Sequence, residues 1–110
     1  MTRWALSFLP EAADDLGSLD ASVRIRVLKA IEKVLTDPLP QFEGGLGKPL
    51  GKKRTYDLSG LLKIKLKADG IRVVYKLVRE NDEMRIVIVG VRSDEEVYRE
   101  ASRRREKHGL

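Results

Sequence analysis

The sequence contains no cysteine and only one histidine, His108, which lies close to the C-terminal end. These absences exclude a disulfide framework and leave too few ligands for a zinc site. A nucleophile activated by an ordered histidine is disfavoured for the same reason. No acidic segment has EF-hand spacing, so we expect neither a metal nor another cofactor. A chain without cysteine also fits the reducing cytoplasm, which is the predicted location.

Long apolar runs are absent as well. No segment approaches the roughly 20 apolar residues of a membrane span, so we expect no membrane association. The first ten residues, MTRWALSFLP, have too short an apolar core for a signal peptide and no small-residue cleavage site. The 110 residues are enough for one modest hydrophobic core, so we predict a single domain over residues 1–110.

Positive charge is in excess. The 22 Lys and Arg residues outnumber the 17 Asp and Glu residues, which gives a net charge of +5. This balance favours a nucleic acid or an acidic protein as partner. The Gly-rich segment EGGLGKPLGKK lacks the Ser or Thr that follows the lysine of a phosphate-binding P-loop, so nucleotide binding by that motif is disfavoured.

The first half of the chain predicts one strand, two helices and a long loop. Alternation predicts a strand over residues 3–9, and a proline then opens a short helix over 10–17. An apolar stripe predicts a longer helix over 21–36. Residues 38–60 are rich in Pro and Gly, and we interpret them as a loop that is functional or mobile.

The segment LLKIKLKADGIRVVYK, residues 61–76, predicts a β-hairpin. Lysines alternate with apolar residues, which is the period of a half-buried strand. Asp69-Gly70 predicts a two-residue turn that places Lys67 opposite Arg72. One face is then apolar, and the other carries four cations: Lys63, Lys65, Lys67 and Arg72. Like charges repel across a ladder, so we interpret this surface as a site for a polyanion, although a solvated sheet face also fits.

The last third predicts a central strand and a C-terminal helix. Residues 86–89 are continuously apolar, which is typical of a strand covered on both faces. Ser93 and Glu96 form a capping box for the helix. The order β-α-α-β-β-β-α therefore predicts a compact α+β domain, in which an antiparallel β-sheet carries its helices on one face.

This order and three motifs resemble the RelE/ParE toxin superfamily of bacterial and archaeal toxin–antitoxin systems. The motifs are Lys-Ile-Lys-Leu at 63–66, Gly-x-Arg-x-Val-Tyr at 70–75, and Val-Gly-x-Arg at 89–92 followed six residues later by tyrosine. The resemblance covers nearly the whole chain and is closest to the RelE-type, ribosome-dependent mRNA interferases. It implies a metal-independent endoribonuclease that cleaves mRNA in the ribosomal A site. There the 2′-hydroxyl attacks the adjacent phosphate and leaves a 2′,3′-cyclic phosphate.

The resemblance also implies the residues of the site. Tyr98 is the candidate base and Lys65 or Arg92 the candidate acid, and clustered cations are expected to lower the pKa of Tyr98. The implied catalytic set is Lys63, Lys65, Arg72, Arg92 and Tyr98. Other basic residues of the loop, the turn and the last helix are expected to contact RNA or the ribosome: Lys48, Lys52, Lys53, Arg54, Lys67, Arg103 and Arg104.

Some positions depart from the family pattern, and alternatives stay open. Val91 and Asp94 stand where relatives often carry basic residues, and Leu62 stands where an aromatic is common. Arg72 could instead pair with a glutamate of the last helix, and Tyr98 could pack at the core edge. The ParE-like branch, whose members inhibit DNA gyrase without cleaving RNA, and an attenuated toxin that only binds its antitoxin are the alternative functions.

Partners are implied by every one of these functions. The resemblance implies a small RelB-like antitoxin that holds the toxin in a hetero-oligomer, and it implies the ribosome and mRNA for the nuclease. We expect the antitoxin to bring an amphipathic helix to an apolar groove and carboxylates to the basic face.

Overall fold

The computed structural model describes residues 3–53, 56–91 and 93–110, and for Lys52 and Lys53 it describes the backbone only. The predicted α+β class is confirmed. Within the described ranges no helix is long and apolar enough to cross a membrane. Two short 3₁₀ turns, Gln41–Glu43 and Arg79–Asn81, lie between the main elements. In chain order the main elements are β1 Ala5–Phe8, α1 Pro10–Gly17, α2 Ala21–Leu35, β2 Lys48–Lys53, β3 Tyr56–Leu66, β4 Ile71–Val78, β5 Glu83–Gly90 and α3 Asp94–Lys107.

The five strands form one sheet in the order β1-β5-β4-β3-β2. The hairpin-linked strands are antiparallel, as predicted, but β1 pairs with β5 in parallel. Short turns force consecutive strands to reverse direction, whereas no turn joins β1 to β5, so its direction is set by tertiary packing. The apolar strand β5 lies inside the sheet, as its sequence predicts, and residues 86–89 are buried.

The strand β2 corrects the predicted loop over residues 38–60. It is an edge strand, and its pairing with β3 is irregular between Pro49 and Gly51. Proline is tolerated at a sheet edge because no neighbouring strand needs its missing N–H, and Gly51 has the positive φ of 67° that glycine adopts without strain. The residues that indicated a loop are therefore those of an irregular edge strand.

The hairpin between β3 and β4 has a wider turn than predicted. Leu66 pairs with Ile71, so four residues and not two form the connection, and Lys65 lies opposite Arg72. The carboxylate of Asp69 is held by Arg26 of α2 at 2.7 Å, a contact that local turn preferences do not include. A slip of two residues keeps every side chain on its face, so the predicted division into an apolar and a basic face is correct.

Helices cover both faces of the sheet, which corrects the predicted one-sided packing. On the apolar face, the buried hydroxyl of Tyr75 donates to the carbonyl of Pro38, directly after α2. On the opposite face α3 packs over Gly90, where an added Cβ would lie 2.5 Å from a methyl of Val97. Glycine at this position lets α3 lie directly on the sheet. The second face therefore has an apolar core of its own beneath α3.

Polar contacts attach α3 to α1. Arg104, predicted to be an exposed RNA-contacting residue, is buried and pairs with Asp15 at 2.7 Å and with Glu100 at 2.8 Å. His108, close to the C-terminal end, lies 2.9 Å from Glu11, as does Lys107. The internal position of Arg104 was not predicted because its partner Asp15 lies on α1, 89 residues earlier in the chain.

These contacts predict that α3 loses its attachment in acid. The hydrogen bond from Lys107 lowers the pKa of Glu11 to about 2, and the hydrogen bond from Arg103 lowers the pKa of Glu100 to about 2. Folded pKa values below the unfolded ones mean that the stabilisation is present above about pH 4.5 and is lost as the pH falls toward 2. Thermal unfolding followed by circular dichroism over that range should show a falling Tm.

The matched variants are Glu100→Gln and Glu106→Gln on the same helix. Glu106 is exposed and has no side-chain ion pair among the described residues. We expect Glu100→Gln to lower the Tm at neutral pH and to flatten its dependence on pH, and Glu106→Gln to do neither. Equal pH profiles for the wild type and Glu100→Gln would contradict the assignment.

Candidate functional site

The basic face of the sheet consists of Lys48, Lys63, Lys65 and Arg72. Lys48 of β2 lies directly opposite Lys63 of β3, and Lys65 lies directly opposite Arg72 of β4. Directly opposed residues have Cβ atoms about 5 Å apart, at which like charges destabilise the sheet. Neither pair contains a carboxylate. A bound anion with several negative charges would therefore stabilise this part of the sheet.

Arg72 is held by groups close to it in space. Its guanidinium donates to the carbonyl of Gly70 at 3.2 Å and forms an ion pair with Asp94 in the first turn of α3. A pairing of Arg72 with the last helix was one of the alternatives, and the partner is this aspartate and not a glutamate. The contact places a carboxylate at the edge of the basic face. Any anion that binds Arg72 has to compete with it.

Tyr98 lies in the second turn of α3, and 8% of its surface is exposed. Burial raises the pKa of its hydroxyl, the Asp94 carboxylate raises it further, and Arg72 acts in the opposite direction. The expected lowering of this pKa is therefore wrong in sign. The sequence shows the cations near Tyr98, but the burial of the ring beneath α3 becomes visible only in the fold. At neutral pH the hydroxyl is protonated and can donate a hydrogen bond.

The start of α3 is fixed by its cap. Ser93 is the N-cap, and its hydroxyl accepts from the backbone N–H of Glu96 at 3.4 Å, as the capping box predicts. The carboxylate of Glu96 lies 3.4 Å from the same hydroxyl. Together with the contact of Val97 over Gly90, the cap sets where Asp94 and Tyr98 meet the basic face.

The other predicted site residues fall into three groups. Arg54 and Arg92 lie outside the described residues, as do the side chains of Lys52 and Lys53. Lys67 is exposed in the β3–β4 turn and no longer faces Arg72, and Arg103 is exposed and pairs with Glu100 at 2.6 Å. Arg104 is internal and does not belong to a surface site. Within the described ranges, no group of three or more His, Asp or Glu residues is placed to hold a metal ion.

Two features of the site were not predicted from the sequence. Lys48 is predicted to contact RNA from a loop that is functional or mobile, but its position opposite Lys63 follows from the strand β2, which the sequence does not predict. Asp94 was noted only as a departure from the family pattern, although it contacts Arg72. The sequence does show an acidic residue two positions after the arginine of the Val-Gly-x-Arg motif, but not its contact with Arg72.

Comparison with known proteins gives consistent results. A family model described as the ParE toxin of the parDE type II toxin–antitoxin system matches residues 6–98. An Escherichia coli protein described as a RelE-like toxin is 31% identical over 103 residues, which cover 93% of this chain and 97% of that protein. A structure of a mutant form of free E. coli toxin RelE is similar with a TM-score of 0.70 and 28% identity, over 94% of this chain and 98% of that chain.

A chain of the intact E. coli RelBE toxin–antitoxin complex is also similar. Its TM-score is 0.64 at 26% identity, and the match covers 82% of this chain and 98% of that chain. The similar structures therefore include both a free and a partner-bound form.

The environment of Tyr98 gives a prediction that does not depend on any activity. Replacement Asp94→Asn removes the carboxylate charge, so we expect the pKa of Tyr98 to fall. The measurement is the ultraviolet titration of phenolate absorbance, taken as the difference between each protein and the same protein carrying Tyr98→Phe. Glu95→Gln, on the exposed side of the same helical turn, is the control and should leave the titration unchanged. A Tyr98 pKa that is identical in Asp94→Asn would contradict the arrangement.

Proposed function

Because the chain belongs to the RelE/ParE family of toxins of type II toxin–antitoxin systems, we propose that it is a ribosome-dependent endoribonuclease that cleaves mRNA in the A site. One observation carries the proposal. The residues of the Lys-Ile-Lys-Leu and Gly-x-Arg motifs, Lys63, Lys65 and Arg72, share one sheet surface. Tyr98 of α3 lies close enough to Arg72 for that charge to act on its pKa.

The reaction forms a bond from the 2′-oxygen to phosphorus while the bond from phosphorus to the 5′-oxygen breaks. A proton leaves the 2′-hydroxyl, and the 5′-oxygen gains one. We assign Lys63 and Arg72 to the negative charge that develops on the phosphate oxygens, since a guanidinium can contact two of them at once. We assign Arg92 to the same negative charge only because it is the arginine of the Val-Gly-x-Arg motif.

The raised pKa of Tyr98 changes its proposed role. A phenol that stays protonated at neutral pH is a poor base and a good hydrogen-bond donor. We therefore assign the Tyr98 hydroxyl to a phosphate oxygen or the leaving 5′-oxygen. Lys65, which is exposed and lies opposite Arg72, donates a proton to the leaving 5′-oxygen, and the proton of the 2′-hydroxyl leaves to water. Because these groups are weak acid–base catalysts, orientation of the mRNA by the ribosome supplies much of the rate.

Asp94 is the chain's own competitor for the substrate. Its carboxylate occupies Arg72, so the scissile phosphate has to displace it before the guanidinium can stabilise the reaction. A phosphate with its ester neighbours offers more contacts to Lys63, Lys65 and Arg72 together than one carboxylate does. The ion pair therefore weakens the free enzyme's hold on anions without blocking a substrate that spans the whole basic face.

The decisive experiment is primer extension on mRNA in programmed ribosomes. We expect the wild type to cut within the A-site codon and Tyr98→Phe to cut about 10²-fold more slowly, because it loses only the donating hydroxyl. Tyr56→Phe is the matched control. It removes a hydroxyl that accepts from Arg99 at 2.8 Å, away from the basic face, and should keep the wild-type rate. Equal rates for the wild type and Tyr98→Phe would remove Tyr98 from the mechanism.

The second candidate function is inhibition of DNA gyrase. It is favoured by the description of the matching family model, which is that of the ParE toxin. A supercoiling assay with purified gyrase separates the two functions. Intact mRNA on ribosomes together with lost supercoiling would establish the ParE-like activity and overturn the nuclease.

We further propose that the chain binds a cognate antitoxin, as the similar RelBE complex contains one. Carboxylates of the antitoxin would neutralise the basic face. We expect the wild-type chain expressed alone to arrest growth, and co-expression with the small protein encoded beside it to restore growth and yield a co-purifying complex. High yields of the wild-type chain alone from normally growing cells would count against both the toxicity and the partner.

A further inference from the structure

A cavity lined by several lysines adjoins the basic face at the edge of the sheet. It has a volume of about 400 Å³ and lies between α2, the segment before β2, and the edge of β3. This volume falls within the roughly 300–1,000 Å³ typical of small-ligand sites. The side chains that matter are four lysines and two apolar residues: Lys33, Lys48, Lys63, Lys65, Leu46 and Ile64.

The charges in this cavity have one sign. No Asp or Glu is among its described lining residues. Lys33, Lys48 and Lys65 form no ion pair within the described part of the chain. A solvated surface usually intersperses both signs of charge, which reduces repulsion. A cavity that concentrates lysines at this cost fits a bound anion.

The cavity continues the proposed path of the RNA. The cavity lies at the edge of β3, where Lys63 and Lys65 of the basic face and Ile64 of the apolar face all line it. The Cα atoms of Lys63 and Lys65 are about 6.6 Å apart along the strand. That is close to the spacing of successive phosphates in an extended RNA strand. A strand whose reacting phosphate lies between Arg72 and Lys65 passes Lys63 at its next phosphate, and at the edge of β3 it reaches the cavity between Lys48 and Lys33 of α2.

The apolar residues supply a surface for a base. Leu46 is 44% exposed although it is large and apolar, and Ile64 lies next to it in the cavity wall. Apolar side chains that flank a polar rim are typical of sites that hold an unstacked base. An acidic protein segment would use the lysines but would gain less from Leu46.

We propose that this cavity is a subsite for the RNA nucleotide next to the cleaved one. Lys33 and Lys48 bind its phosphate, and Leu46 and Ile64 contact its base. The inference rests on the proposed RNA substrate and adds two contacts outside the three motifs, Lys33 of α2 and Leu46.

The first test is the affinity of the full-length chain for a labelled single-stranded RNA pentanucleotide, measured by fluorescence anisotropy over a range of salt concentrations. We expect Lys33→Ala to weaken binding several-fold and to reduce the salt slope by about 0.7, the value for one lost phosphate contact on a single strand. Lys29→Ala is the matched control. Lys29 lies one turn away on the same helix, is exposed and does not line the cavity, so it removes the same net charge without the contact.

The second test addresses the base. An abasic nucleotide beside the cleavage position should weaken binding to the wild type, and the same probe should cause a smaller further loss in Leu46→Ala. Because Leu46 is exposed, this variant should fold normally. Equal penalties from the abasic probe in both proteins would overturn the base contact.

The outcomes separate the cavity from the proposed nuclease. Equal salt slopes for Lys33→Ala and Lys29→Ala overturn the proposal that the cavity binds RNA, even if ribosomal cleavage by the wild type is normal. A salt slope that falls only in Lys33→Ala supports RNA binding by the cavity, even if no mRNA is cut and the proposed nuclease activity is wrong. If Lys33→Ala loses antitoxin affinity while its RNA affinity is unchanged, the cavity is a protein site and the proposal is overturned.

Discussion

The position of α3 depends on one buried guanidinium. Arg104 donates to Asp15 of α1, to Glu100 of its own helix and to the carbonyl of Val87 in β5. Asp15 in turn accepts from the backbone N–H of Val89, so one carboxylate joins α1, β5 and α3. Removing one partner of a buried ion pair costs about 3–5 kcal/mol, because the other charge remains desolvated. Since α3 carries the whole helical side of the site, this network fixes the site as well as the fold.

The sheet, by contrast, is destabilised at the site by like charges on neighbouring strands. Lys48 faces Lys63 and Lys65 faces Arg72, and each opposed pair of like charges costs up to about 1 kcal/mol. Apolar packing beneath these strands maintains the fold, since Leu61, Leu62, Val73 and Val74 are buried. A sequence under selection for stability alone would alternate charge on such a face. The ion pair of Arg72 with Asp94 already offsets part of this repulsion in the free protein, and an anion that spans the whole basic face would offset more of it.

The sequence predicts what short-range periodicity determines. The division of β3 and β4 into a basic and an apolar face follows from the two-residue period, and it survived an error in register because that error was an even number of residues. Contacts between segments that are distant in the chain cannot be predicted from such periodicity. Arg26 of α2 holds Asp69 in the four-residue turn, and Asp15 pairs with the buried Arg104 from 89 positions away. Pro49 in an edge strand has the same local signature as proline in a loop, and only the pairing of β2 with β3 distinguishes the two.

The site illustrates why counting charges along a sequence misjudges a pKa. Four cations on neighbouring strands suggest that a nearby phenol should ionise readily, yet Tyr98 is pushed the other way by burial and by Asp94. The charged groups that act on the pKa of Tyr98 are Asp94 and Arg72, and the helix that carries Tyr98 carries Asp94 one turn earlier. A bound phosphate would replace one negative charge at Arg72 by another, so it would not ease ionisation of the phenol. The chemistry that this geometry favours is therefore hydrogen-bond donation by a neutral Tyr98, with charge stabilisation left to the lysines and Arg72.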